Sequence, residues 1–369
     1  MKKLYTIFLI LSAVVGFAQP AGYYNTATGT GYTLKTQLKK IINNTNDGLA
    51  SEHIATDQGY AGLYVTYTTS DVDNYYENDG TMLDMYTEKP TASECEFTYG
   101  TNQDDGTGGT AECQKYNREH LIPQSVFSSA TPMYSDAHFV VPSDKYVNAQ
   151  RGDFPFGVTS APTSTYSNGS KRGPNLNSGY SAGYTGTIFE PINEFKGDIA
   201  RMLLYFATRY EDQVTGWTYT MFNGTSTQVF TNTHIEILKQ WNNMDPVSQR
   251  ERDRNNAVYA RQNNRNPYID HPEWVAVIWG PTLGTESFDA LANVSIYPNP
   301  TKDSRINITS EVELNEIQLI NINGQVIQYI KNPNRVQNSY TLENLPQGFY
   351  FVKLSSADNQ TTTKKILVN

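Results

Sequence analysis

Tyr116-Asn117-Arg118-Glu119-His120-Leu121-Ile122-Pro123 is followed by Asp136-Ala137-His138-Phe139-Val140-Val141-Pro142 and then by Ser143-Asp144-Lys145-Tyr146-Val147-Asn148-Ala149-Gln150-Arg151. Apolar, strand-forming residues flank the Glu119-His120 pair, a second apolar run covers 137–141, and Ser143 stands where a helix N-cap would be. The pattern predicts a strand, a strand and a helix within about thirty-five residues. It gathers a histidine, a carboxylate and a carboxamide into one small unit. Neighbours on a flat strand face opposite ways, so Glu119 and His120 can serve one site only if the strand ends or bulges there.

Hydrolysis of a phosphodiester needs a base to deprotonate water, a cation to neutralise developing charge and a donor to grip the phosphate. His120 suits the first task, because an imidazole titrates near neutrality, and Glu119 with Asn148 offers hard oxygens to Mg²⁺ or Ca²⁺. A Glu-His pair by itself is more often structural or exposed. His138 lies inside an apolar run and is expected to order the core beside Asp136.

Arg118-Glu119-His120, Asp136-Ala137-His138, Pro142, Val147-Asn148 and Arg151 together resemble the signature of the bacterial endonuclease I family, secreted or periplasmic nucleases with a ββα-metal (His-Me) finger. The resemblance continues through Phe189-Glu190-Pro191, a helix over Lys196 to Tyr210, Trp241 to Val247 and Asn264-Arg265-Asn266-Pro267-Tyr268, covering roughly residues 22–275. It implies an α+β fold, with His120 as general base and Glu119 and Asn148 holding one divalent metal ion, Mg²⁺ first and Ca²⁺ or Mn²⁺ as alternatives. The ion would stabilise the leaving 3′ oxygen, giving 5′-phosphate products from DNA and often RNA. Some members carry a longer insertion after the histidine that supplies a phosphate-binding arginine. Here fifteen residues separate His120 from Asp136, and none of them is Arg or Lys. Arg151 and Arg201, with Lys171 and Arg172 as substrate-binding residues, are the candidates for that role.

The net charge of -9 argues at first against a polyanionic partner. Its distribution removes the objection: residues 19–110 carry 4 Lys+Arg against 13 Asp+Glu, whereas residues 111–280 carry 15 against 16. Met1-Lys2-Lys3, the apolar run from Leu4 to Phe17 and small residues at Gly16 and Ala18 read as a signal peptide over residues 1–18. The remainder holds no comparable apolar run, so no integral membrane segment is expected in a protein that is secreted or attached to the cell surface. In that compartment Cys95 and Cys113 are expected to form a disulfide across a Gly/Asp-rich loop, in preference to free thiols or a zinc site.

A nuclease domain is expected over 19–280. Within it a helix is predicted over Thr33–Asn44, strands over Leu63–Thr69 and Met82–Thr87, a long surface loop over Gly152–Ser181 and a helical region over His234–Asn264. Arg209 reads as an exposed helix charge. The acidic run around Asp71, Asp73, Glu77 and Asp79 has too few correctly spaced oxygens for an EF-hand, and calcium is not expected there.

After a linker over 281–293 the texture changes to short alternating runs, with an Asn323-Gly324 hairpin signal, predicting an all-β sandwich over 294–369. Val294-Ser295-Ile296-Tyr297-Pro298-Asn299-Pro300, Leu345-Pro346-Gln347-Gly348-Phe349-Tyr350 and the tail Lys364-Lys365-Ile366 resemble the type IX secretion sorting domain of Bacteroidetes, which implies the type IX machinery as a partner. The reading is of a monomeric, metal-dependent, non-specific endonuclease acting on nucleic acid. Its rivals are an extracellular ribonuclease of the same fold and a surface-binding protein without turnover.

Overall fold

The computed structural model describes residues 19–49, 53–280, 294–322, 324–356 and 361–369. The expected signal peptide (1–18), the linker (281–293) and Asn323 of the hairpin lie outside the described residues. The chain divides into two compact units, Met1–Thr282 and Leu283–Asn369.

The first unit opens with α1 (Gly31–Ile42), whose Leu34, Leu38, Ile41 and Ile42 form the buried face and whose Lys39 and Lys40 sit in the last turn, where cations favour the helix dipole. Gly62–Ser70 is a second helix, α2, and not the strand predicted over Leu63–Thr69. Its Tyr, Val and Thr residues favour strands intrinsically, but Leu63, Thr66, Tyr67 and Ser70 are buried at three- and four-residue intervals, and packing overrides propensity. The strand expected at Met82–Thr87 is also absent beyond a single bridge from Met82 to Val72. Asp84 turns the chain instead, accepting hydrogen bonds from Tyr86 N (2.9 Å) and Thr87 Oγ1 (2.7 Å), a local alternative to ladder pairing.

The strand, strand, helix unit is present as β1 (Tyr116–His120), β2 (Val140–Asp144) and α3 (Lys145–Arg151), with β1 and β2 antiparallel. The second strand begins three residues later than the apolar run, and Asp144 rather than Ser143 caps the helix, accepting from Tyr146 N and Val147 N. The expected loop over Gly152–Ser181 is interrupted by β3 (Ser164–Thr165) and β4 (Lys171–Pro174), which join β5 (Thr187–Glu190) in a three-stranded sheet of order β3-β4-β5.

The helix α4 (Lys196–Arg209) follows, then α5 (Asn232–Met244), α6 (Gln249–Gln262), α7 (Pro267–Asp270) and α8 (Trp274–Trp279). All residues of α4 are buried, with α1 and α5 packed against it. That placement corrects the reading of Arg209, which is 5% exposed and pairs with Asp136 at 2.6 Å. Cys95 and Cys113 form a disulfide, their Cα atoms 4.8 Å apart.

The second unit comprises β6 (Ser295–Tyr297), β7 (Ile306–Thr309), β8 (Leu314–Asn321), β9 (Val326–Lys331), β10 (Ser339–Leu342), β11 (Gly348–Ser356) and β12 (Thr361–Val368). These make two antiparallel sheets, ordered β10-β7-β6 and β12-β11-β8-β9. Alternate residues such as Ile306, Ile308, Ile317, Leu319, Val352 and Leu354 enclose a separate core.

Candidate active site

The strand β1 ends at His120, opposite Val140. The strand thus ends at the second of the two adjacent residues Glu119 and His120. Residues 117 and 119 share one face of β1, and α3 lies over it. Asn148 and Arg151, three apart on α3, reach the same face.

Glu119 is buried, and its Oε1 accepts hydrogen bonds from Tyr86 OH (2.8 Å) and Arg151 Nη1 (3.0 Å). Oε2 accepts none from the described residues, and it is not sealed from solvent. Burial pushes this carboxyl up to about 7, although Arg151 and Tyr86 act to hold it down. Arg151 also donates to the carbonyls of His120 (3.0 Å) and Leu121 (2.8 Å), so its guanidinium clamps the end of β1 and is itself fully buried. The Asn148 amide is oriented by two donations from Nδ2, to Asn117 Oδ1 (2.8 Å) and Arg118 O (3.4 Å), which leaves Oδ1 as an unbonded acceptor.

His120 places Nε2 3.2 Å from the Tyr134 carbonyl oxygen. A carbonyl only accepts, so Nε2 carries the proton in the neutral ring and Nδ1 keeps its lone pair. Nδ1 has no hydrogen bond and retains solvent access, whereas the unpaired ring nitrogens of His138 and His234 are sealed in. The ring stacks on Tyr134 (5.4 Å between centroids, 11° between planes) with Tyr60, Phe127 and Phe139 around it. This burial lowers His120 to about 4, the Tyr134 carbonyl working in the opposite direction and Arg118 and Arg151 reinforcing the shift.

Arg118, two residues before His120 on the same strand face, is a residue to which the sequence reading assigned no task. Its guanidinium lies 3.4 Å over the Tyr60 ring and 4.2 Å from that of Tyr64, and Nη1 donates to Tyr60 O at 2.9 Å. Its Nη2 has no partner and is not enclosed. The strand alternation that links 118 to 120 was the available signal.

The other cations are placed differently. Arg201 is fully buried in α4 and donates to both carboxylate oxygens of Glu251 (2.6 and 2.8 Å), to Asn242 Oδ1 (3.1 Å) and to Asp245 O (2.9 Å). None of these partners touches Glu119, His120 or Asn148, so the structure does not bring Arg201 into the group. Arg172, on β4, is tied to α3 by a 2.8 Å bond to Gln150 O. The side chain of Lys171 beside it forms no hydrogen bond or ion pair with the described residues.

A neutral imidazole with an open lone pair, one residue along the strand from a carboxylate with an unbonded oxygen, offers groups that a phosphodiester hydrolase needs. The family described as Endonuclease I matches residues 30–273, and the secretion system C-terminal sorting domain matches residues 295–369. The chain is similar to an extracellular ribonuclease of Bacillus amyloliquefaciens, 32% identical over 70% of this chain and 78% of that protein. It is also 32% identical to an extracellular ribonuclease of Bacillus subtilis, over 71% of this chain and 80% of that one. Among solved structures, PorZ, a surface component of the type IX secretion system of Porphyromonas gingivalis, is matched at 15% identity over 23% of this chain and 13% of that one, with a TM-score of 0.20. The chain belongs to the Endonuclease I family and carries a type IX sorting domain at its C-terminal side. No helix among the described residues is long and apolar enough to cross a membrane.

Proposed function

We propose that the protein is an exported endonuclease that hydrolyses the phosphodiester bonds of RNA and DNA with one divalent cation, Mg²⁺ by preference, and leaves 5′-phosphates. The observation that carries this reading is the open Nδ1 of His120, adjacent in sequence to the unspent Oε2 of Glu119. RNA is included because the Bacillus relatives are named extracellular ribonucleases. Export is supported by the sorting domain together with those extracellular relatives, and removal of residues 1–18 as a signal peptide belongs to the same proposal.

Glu119 Oε2 and Asn148 Oδ1 fit a hard cation: both are oxygen donors, neither is consumed by a hydrogen bond, and the groups behind them are fixed by Arg151, Tyr86 and Asn117. A cation held by this pair would neutralise charge on the phosphate and on the departing 3′ oxygen. His120 Nδ1 takes the proton of the attacking water, while the Tyr134 carbonyl keeps the ring in the tautomer that can do so. The phosphate's own negative charge raises the imidazole's proton affinity, against the effect of burial. Arg118 Nη2 supplies a cationic donor from the same strand face, and Arg172 with Lys171 extends the positive groups along β4.

The direct test incubates the full-length protein with plasmid DNA and with ribosomal RNA, with Mg²⁺ and with EDTA, and sequences the product ends. Both substrates are expected to be cut only with the cation and to carry 5′-phosphates. Cleavage of neither substrate in Mg²⁺, Mn²⁺ or Ca²⁺ would make the chain a binding protein. Arg118→Met is expected to raise KM for either substrate about tenfold, the loss of one charge-assisted contact to phosphate. An unchanged KM would remove Arg118 from the substrate path.

A further inference from the structure

We propose that Asp73, Glu77, Glu88 and Glu94 form a second cation site, structural in role and suited to Ca²⁺, distinct from the pair Glu119 and Asn148. One carboxylate oxygen from each of the four lies within 4.8 Å of the others. Four oxygens gathered this closely can all be reached by one ion with the roughly 2.4 Å bonds of Ca²⁺. Mg²⁺ keeps several of its waters, and an all-carboxylate cage suits Ca²⁺ better.

The independent observation is Glu88. It is 0% exposed, and neither of its carboxylate oxygens has a hydrogen-bond partner; the enclosed Oε1 of Glu94 has none either. Buried carboxylates are otherwise paired or coordinate metals, because a lone anion out of water is prohibitively unfavourable. Among the described residues no Lys, Arg or His pairs with any of the four. Burial first, and then Glu94, Glu77 and Asp73, push the Glu88 carboxyl far above its ordinary value. Without a cation the cluster must hold protons to persist; with one, the same geometry becomes favourable. Asp73 differs from Glu88 in accepting from four backbone amides, those of Tyr75 (3.0 Å), Tyr76 (3.0 Å), Glu77 (3.1 Å) and Asn78 (3.2 Å), which fixes the loop that presents Glu77.

The acidic run around Asp73 lacked enough oxygens because the remaining donors come from a separate segment. Glu88 closes the turn that begins at Asp84 and displays Tyr86, and Glu94 directly precedes the disulfide-bonded Cys95. A cation there fastens the segment whose Tyr86 hydroxyl holds Glu119.

The test is a CaCl₂ titration of the EDTA-treated, desalted full-length protein, read by calorimetry and by thermal unfolding. Wild type is expected to gain on the order of 5 °C in Tm at about 5 mM Ca²⁺ and less at equal Mg²⁺. Glu88→Gln should lose the Ca²⁺-dependent gain while melting no lower than wild type in EDTA, since it removes like-charge crowding. Glu77→Gln, at an exposed position, should fold normally and weaken Ca²⁺ binding about tenfold. A Glu119→Ala, Asn148→Ala protein should keep the full gain, which separates this site from the nuclease proposal. No Ca²⁺-dependent gain in wild type, or a full gain in both Glu88→Gln and Glu77→Gln, would overturn the inference.

Discussion

His120→Ala is expected to lower cleavage of both RNA and DNA by about two to four orders of magnitude at pH 7, the range typical of a general base. Folding should survive, with a Tm reduced by a few degrees for the truncated ring, because no charge is stranded by its loss. At pH 7 a group with a pKa of about 4 is protonated in roughly one molecule in a thousand, so wild-type His120 is already a free base. An acid limb near pH 7 in the free enzyme is therefore expected from Glu119, which burial raises to about 7. Below that value the carboxyl is protonated and competes poorly for a cation; raising Mg²⁺ should displace the proton and move the limb to lower pH. Added imidazole should restore part of the His120→Ala rate by entering the space between Tyr134, Phe127 and Phe139. Normal cleavage by His120→Ala would falsify the base assignment while leaving the family membership intact.

The ββα unit was legible because its parts are contiguous and its periodicity is plain, and the apolar stripe of α4 was legible for the same reason. What escaped was decided by packing between distant segments. The run from Leu63 to Thr69 carries strand-forming residues, and only the core beside it selects the helix. Arg209 reads as a surface charge because helical spacing alone cannot show that α4 is enclosed on every side. The short strands β3 and β4 sit in a Gly/Pro/Ser-rich stretch where two- and four-residue ladders leave too little pattern to detect.

The site divides along the same line. His120, Glu119, Asn148 and Arg151 lie on adjacent elements, where Arg151 bonds Glu119, Asn148 bonds Asn117 and His120 ends the strand that carries Glu119 and Asn117. Tyr86 and Tyr134, which hold Glu119 and His120, come from turns that no local pattern connects to β1. Arg201 shows the converse: its position on an amphipathic helix gave no sign that Glu251, from another helix, takes both arms of its guanidinium.

Asp136→Asn is expected to be the most destabilising conservative substitution in the first unit. Oδ2 of Asp136 accepts from Arg209 Nη1 (2.6 Å), Tyr210 OH (2.7 Å) and Tyr205 OH (2.9 Å), and Oδ1 accepts from Gln262 Nε2 (2.9 Å) and His138 N (3.1 Å). Burial acts to raise this carboxyl, and Arg209 with the other donors outweighs it, leaving the pKa below its ordinary value. Stability from a depressed carboxylate is fully present above its unfolded pKa, so at pH 7 the whole contribution is there to lose. The amide cannot accept three donors where a carboxylate oxygen stood, and it strands the buried Arg209 guanidinium. Breaking such a pair costs about 3–5 kcal/mol, or roughly 10 °C in Tm for a unit of this size. Adding Arg209→Met should recover part of that loss, because the second change removes the orphaned charge. His138, expected beside Asp136, is buried there with Nε2 2.9 Å from Asn264 O, and it lies on the same short connection that carries Tyr134 to His120. Asp136→Asn should therefore keep most of its kcat at temperatures where it remains folded. A large fall in kcat with an unchanged Tm would place Asp136 in the chemistry instead of in the frame that positions it.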